Sequence, residues 1–193
     1  AYALCILGET FLMGARDPFG FRPLVIGKKG DGYILASETC ALDLIEAEYV
    51  REVEPGEIVY IDKDGIQSHQ IPLKVTPKFC VFEHIYFARP DSIVYSESVH
   101  EVRKAFGRKL AQEHPIEADL VMAIPDSGNS AALGYAEESG IPYEVGMTRN
   151  HYVGRTFIQP QQKIRDFFVK VKLNPIKSVL KGKRVVVIDD SIV

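Results

Sequence analysis

Apolar and polar positions alternate through the first 75 residues, and then the period changes. Residues 2–7 and 11–15 read as strands around Gly8-Glu9-Thr10. Residues 24–26 and 33–35 flank Lys28-Lys29-Gly30-Asp31-Gly32, and residues 56–61 and 66–71 flank Asp62-Lys63-Asp64-Gly65. Short strands of period two joined by turn residues predict antiparallel sheet, with one short helix over residues 39–45. Residues 72–95 contain Pro72, Pro77 and Pro90 around an aromatic run, residues 79–87. That run is too apolar for a solvated linker and predicts packing at a junction between two domains.

From Ser98 the spacing becomes helical. Ser98 and Glu101 form a capping-box pattern, and Val99, Val102, Phe106 and Leu110 predict an apolar helix face. Residues 119–124 predict a strand, residues 129–139 a helix stopped by Gly140, and residues 142–147 a second strand, which together make a βαβ unit. A short helix within residues 172–180, opened by Asn174-Pro175, precedes a strand at 184–188. Strands alternating with helices predict an open, mostly parallel α/β sheet.

Bulk composition narrows the partners. The 193 residues are 46% hydrophobic and 25% charged, with a net charge of −3 that argues against nucleic acid. Residues 1–96 carry 9 basic and 14 acidic side chains, and residues 97–193 carry 14 and 12, so an anionic ligand is expected in the second half. No apolar run is long enough to span a membrane, and no membrane partner is expected. Three cysteines without a CxxC predict a reducing, cytoplasmic setting. A start without Met and a stop directly after a strand read as an internal fragment of a longer protein.

Candidate chemistry concentrates at strand ends. Residues 185–188 form a run of β-formers followed by Asp189-Asp190-Ser191. In open α/β sheets ligands bind beyond the carboxyl ends of the strands. Two carboxylates there suit sugar hydroxyls or a phosphate-bearing Mg²⁺. Ile124-Pro125-Asp126-Ser127-Gly128-Asn129-Ser130 follows another strand and opens a helix whose first N–H groups suit an anion. Either motif alone could be an ordinary turn; one sheet would aim both at the same crevice.

The stretch 148–172 carries Arg149, Arg155, Lys163, Arg165, Lys170 and Lys172 against Asp166, with Tyr152, Phe157, Phe167 and Phe168. At about 25 residues it is long for a connection, and it predicts a basic lid rather than a solvated face. Arg16-Asp17-Pro18-Phe19-Gly20-Phe21-Arg22 is expected to be structural, its arginines pairing with Asp17 or with carbonyls. Cys80, alone in an apolar run, is expected to be a packed core residue.

At these residues the chain resembles a known family. Val185-Val186-Val187-Ile188-Asp189-Asp190-Ser191-Ile192-Val193 is similar to the start of the phosphoribosyl-pyrophosphate (PRPP) motif of type I phosphoribosyltransferases. Arg16-Asp17-Pro18, Ala36-Ser37-Glu38, Pro55-Gly56-Glu57, Tyr86-Phe87-Ala88-Arg89-Pro90-Asp91-Ser92 and Tyr152-Val153-Gly154-Arg155-Thr156-Phe157-Ile158 resemble the amidophosphoribosyltransferases. The resemblance implies two domains of mixed α/β and α+β class. Residues 1–75 would be the C-terminal part of an Ntn-hydrolase (αββα) glutaminase domain. Residues 76–193 would be the first part of a phosphoribosyltransferase domain. The implied reaction releases ammonia from glutamine and joins it to PRPP, giving 5-phosphoribosylamine, glutamate and pyrophosphate, the first step of de novo purine biosynthesis.

By the same resemblance, Asp126, Ser127, Gly128 and Asn129 would form the pyrophosphate loop, and Asp189, Asp190 and Ser191 would meet PRPP. Ser127, Asp189 and Asp190 would hold Mg²⁺. Tyr152, Gly154, Arg155, Thr156 and Ile158 would belong to a flexible loop and ammonia channel. Cys80 falls where some members place one ligand of a [4Fe-4S] cluster. Purine nucleotides would act as feedback inhibitors, and the parent would be a homo-oligomer. The nucleophilic N-terminal Cys is absent, so no catalytic residue is assigned and the chain alone is expected to be inactive. Two rival readings are a base-salvage phosphoribosyltransferase and a non-catalytic PRPP-sensing regulator.

Overall fold

The computed structural model describes residues 1–73, 75–152 and 171–192. The chain divides into two compact units, Ala1–His100 and Glu101–Val193. In the first, β1 (Ala3–Leu7), β2 (Leu12–Arg16), β6 (Glu57–Asp62) and β7 (Gly65–Gln70) form an antiparallel sheet in the order β1-β2-β6-β7. A second antiparallel sheet runs β4-β3-β5, built from β3 (Val25–Lys29), β4 (Gly32–Ala36) and β5 (Glu48–Glu52). The alternation in β6 buries Glu57, Val59 and Ile61 and leaves the residues between them half-buried. Val59 joins Leu24, Ile26 and Val53 in the core of this unit. The predicted helix is α1, Thr39–Leu44. Strand β5 has no clean alternation in sequence, and the sequence reading missed it.

Buried polar groups hold this unit together. Arg16 is 1% exposed; its guanidinium donates to the carbonyls of Val53 (2.6 Å), Arg22 (2.9 Å) and Gly20 (3.0 Å) and pairs with Glu52. Asp17 accepts instead from the N–H groups of Phe19 and Phe21. The Arg-Asp-Pro motif is therefore structural, as its turn chemistry predicts, with Arg16 turned to carbonyls and Glu52. Buried Glu57 takes a two-pronged bond from Arg51 (2.7 and 2.8 Å) and accepts from Ser68 and the Glu54 N–H. Burial pushes the Glu57 carboxyl up, but these donors outweigh it and hold its pKa below the usual carboxylate value.

The aromatic stretch is folded onto this same unit. Glu83–Phe87 is a π-helical turn, followed by a small hairpin of β8 (Ile93–Val94) and β9 (Glu97–Ser98). Glu38 accepts from the Arg89 N–H (2.7 Å) and from Ser92 Oγ (2.9 Å), while Thr39 Oγ1 accepts from the Ile93 N–H (2.8 Å). Tyr95 stacks on Phe79 and donates its hydroxyl to the Phe21 carbonyl (2.7 Å).

In the second unit, α2 (Val99–Glu113) and α3 (Asn129–Ser139) pack on a parallel pair, β10 (Leu120–Ala123) and β13 (Val185–Ile188). Val121, Ala123, Val186 and Ile188 meet Ala111, Ala132 and Tyr135 in its core. The predicted second strand is only a parallel bridge, Val121 to Tyr143; the chain then enters β11 (Met147–Arg149), which pairs antiparallel with β12 (Leu173–Pro175). Asn174-Pro175 therefore ends a strand, and the short helix α4 is confined to Lys177–Leu180.

The buried face of α2 also differs from the expected one. Val99 is buried as expected, but Phe106 and Leu110 are 43% and 39% exposed, whereas Arg103, Gly107 and Ala111 are buried. Around Gly107 the reason is backbone-to-backbone packing. A Cβ on Gly107 would stand 1.9 Å from the Ala131 carbonyl oxygen, and one on Gly134 would stand 2.0 Å from that of Lys104. Only a line of small residues admits so close a crossing.

Two outcomes are expected. Gly107→Ala should lower stability by roughly 3 kcal/mol, read as a drop in the urea midpoint, because neither carbonyl nor helix can retreat without opening the core. Glu57 titrates below its unfolded value, so its stabilisation is present above the ordinary carboxylate pKa and fades as pH falls through the depressed one. Glu57→Gln should therefore flatten the acid limb of a stability-against-pH curve.

Candidate functional site

The parallel register sets Ala123 beside Ile188, so the segments that follow β10 and β13 leave the sheet side by side. The Ile188 carbonyl accepts from the Ile124 N–H at 2.8 Å. Gly128 then lies directly on that carbonyl: a Cβ there would stand 2.5 Å from Ile188 O and 3.0 Å from Ile124 O. This contact brings the Pro125–Asn129 turn and the Asp189-Asp190-Ser191 segment together at one sheet edge. The Pro125–Asp126 peptide is cis.

Gly128 is also the N-cap of α3, with no side-chain capping bond. Such a helix start presents backbone N–H dipoles to an anion. Across from it, Asp189 is exposed and Asp190 half-buried. Asp189 accepts from the Asp190 N–H (2.9 Å), and Asp190 accepts from Ser191 Oγ (2.6 Å). Asp126 and Asn129 are exposed and Ser127 half-buried. The donor set of Ser127, Asp189 and Asp190 is all oxygen and open to water, which fits a hard cation that keeps waters and binds substrate phosphates.

A cleft of about 260 Å³ opens beside the turn, lined by Pro125, Asp126, Asn129, Tyr143, Thr148, Arg149 and His151 among others. Arg149, at the end of β11, pairs with Asp126 across it. The sequence reading counted Arg149 only as part of a basic stretch and did not single out Tyr143, Thr148 or His151. A cation at a strand end in the more basic half was the available signal.

The feet of the basic stretch are tied. Thr148 sits opposite Asn174, Arg149 opposite Leu173, and the Asn150 N–H donates to the Lys172 carbonyl at 2.7 Å. Tyr152 is fully exposed. Gly154, Arg155, Thr156 and Ile158 lie outside the described residues. Cys80 is half-buried, its N–H donating to the Phe21 carbonyl. Among the described residues no group of three or more His, Cys, Asp or Glu is arranged to hold a metal, and Cys80 supplies one thiolate where a cluster takes four.

The chain is 59% identical over its whole length to amidophosphoribosyltransferase 1, chloroplastic, of Arabidopsis thaliana. It is 60% identical to the chloroplastic amidophosphoribosyltransferase of Glycine max. It covers 34% of each of these relatives, so it spans about a third of their length. Among solved structures, the Bacillus subtilis glutamine PRPP amidotransferase complexed with ADP and GMP superposes with a TM-score of 0.91 at 52% identity, over all of this chain and 42% of that one. No family model matches the chain. Identity at this level makes the chain homologous, end to end, to a segment of the amidophosphoribosyltransferases. The cytoplasmic expectation is corrected: both plant relatives are named chloroplastic. Cysteine usage reports redox conditions and not the compartment that supplies them.

Gly128→Ala tests the geometry. The added methyl should force the turn off β13 and lower stability by roughly 1–3 kcal/mol, read as a drop in the urea midpoint.

Proposed function

We propose, from kinship with the amidophosphoribosyltransferases, that this chain belongs to an enzyme transferring glutamine-derived ammonia to PRPP. The products are 5-phosphoribosylamine, glutamate and pyrophosphate, at the first step of de novo purine biosynthesis. The observation that carries the reading is the seating of Gly128 on the Ile188 carbonyl, which joins an anion-suited helix start to an acidic pair. Residues 1–75 are assigned to the end of an Ntn-type glutaminase domain, a reading supported by the two antiparallel sheets of the first unit. Residues 76–193 are assigned to the start of the phosphoribosyltransferase domain, supported from residue 101 on by the parallel β10–β13 pair, while residues 76–100 fold with the first unit.

In this reading the backbone at Asp126, Ser127, Gly128 and Asn129 binds the diphosphate of PRPP, and Asp189 and Asp190 face the ribose end. Displacement at the anomeric carbon builds positive charge on the sugar, which nearby carboxylates stabilise. Ser127, Asp189 and Asp190 would hold Mg²⁺, which when bound neutralises charge on the departing diphosphate. Ser191 hydrogen-bonds to Asp190 and so orients one of the two carboxylates. Residues 150–165 form the loop that closes over PRPP and keeps water from the ammonia; Ile158 lines the channel. The antiparallel pairing of 147–149 with 173–175, on either side of that stretch, supports the assignment.

Purine nucleotides are the proposed regulators; the B. subtilis relative was solved with ADP and GMP. A homo-oligomeric parent is proposed from family kinship alone. Cys80 is the candidate for one ligand of a [4Fe-4S] cluster, and no step passes through it.

Alanine at Asp189 or at Asp190, in the full-length protein, should abolish PRPP-dependent phosphoribosylamine synthesis and spare basal glutamine hydrolysis. Equal loss of both activities in a folded variant would contradict the assignment.

A further inference from the structure

We propose that Asp126 is a built-in competitor for Arg149, so that the diphosphate must displace a carboxylate to enter its own site. The inference rests on the PRPP reading above and adds a control to it. The Asp126–Arg149 ion pair ties the turn after β10 to the end of β11 across one cleft. Among the described residues, Asp126 is the carboxylate that lines that cleft and Arg149 the arginine.

The pairing of Arg149 is incomplete. Its Nη1 meets Asp126, while its Nε is buried and has no hydrogen-bond partner among the described residues. Elsewhere in this chain, Arg51 engages Glu57 with two nitrogens at 2.7 and 2.8 Å. A guanidinium offers five donors in a planar fork that matches phosphate oxygens. A diphosphate can take Nε and an Nη together, which the Asp126 carboxylate does not do here. The two partners are 34% and 53% exposed, and pairs so accessible contribute little to stability. The pair therefore opens readily. While closed, it places a negative charge at the mouth of an anion site and masks the arginine that would receive the ligand. Its effect is to lower affinity for partial or weakly charged anions and to favour ligands with enough phosphate charge to outcompete one carboxylate.

The test is calorimetric titration of the full-length protein with inorganic pyrophosphate in the presence of Mg²⁺. Asp126→Asn and Asp126→Ser should each bind pyrophosphate about fivefold tighter than the unchanged protein. Arg149→Ala should bind more weakly, and the Asp126→Asn/Arg149→Ala double variant should show no gain over Arg149→Ala alone. Folded Asp126 variants that bind equally or more weakly than the unchanged protein would overturn the competitor role and leave the site reading standing. Failure of the unchanged protein to bind pyrophosphate would overturn the site reading, and the proposal with it.

Discussion

The absence of a side chain at Gly128 fixes how near the turn after β10 can come to the end of β13. Everything proposed for this site depends on that closeness, because neither the helix start nor the acidic pair is distinctive alone. The constraint is inherited from further away. Residue 128 opens α3, and the position of α3 is set by its crossing with α2, where Gly134 and Gly107 leave carbonyls facing bare backbone. Three glycines with no chemistry of their own thus determine where the chemistry sits.

The first unit solves a different problem. Its core is aliphatic, with Leu24, Ile26, Val53 and Val59, and buried charges complete the structure. Arg16 satisfies three carbonyls and Glu57 gathers four donors, so these two charges recover their hydrogen bonds inside. Such networks are costly when half made and cohesive when complete. The motif that looks most chemical in this part of the sequence, Arg16-Asp17-Pro18, is therefore scaffolding.

Much of this was legible in the sequence. Strands β1 to β4, β6 and β7 follow from alternation and turn residues, and Asn129–Ser139 with its Gly140 stop was read to the residue. Both halves of the candidate site were readable because each directly follows a strand and the strands were clear. The rest was hidden for physical reasons. The face of α2 was misassigned because hydrophobic periodicity ranks Phe106 and Leu110 above Gly107 and Ala111, whereas backbone contact selects the small residues. The Asp126–Arg149 pair joins positions 23 residues apart, and it is the bridge of Tyr143 to Val121 in β10 that brings the chain leading to Arg149 alongside. The register of β12 was missed because Asn174-Pro175 is a good helix opening as well as an acceptable strand end.

The β11–β12 pairing makes the departure and return points of the stretch between them neighbours, held by main-chain bonds that do not depend on what lies between. Side-chain changes at residues 147–149 and 173–175 that leave those main-chain bonds intact would therefore leave both points where they are.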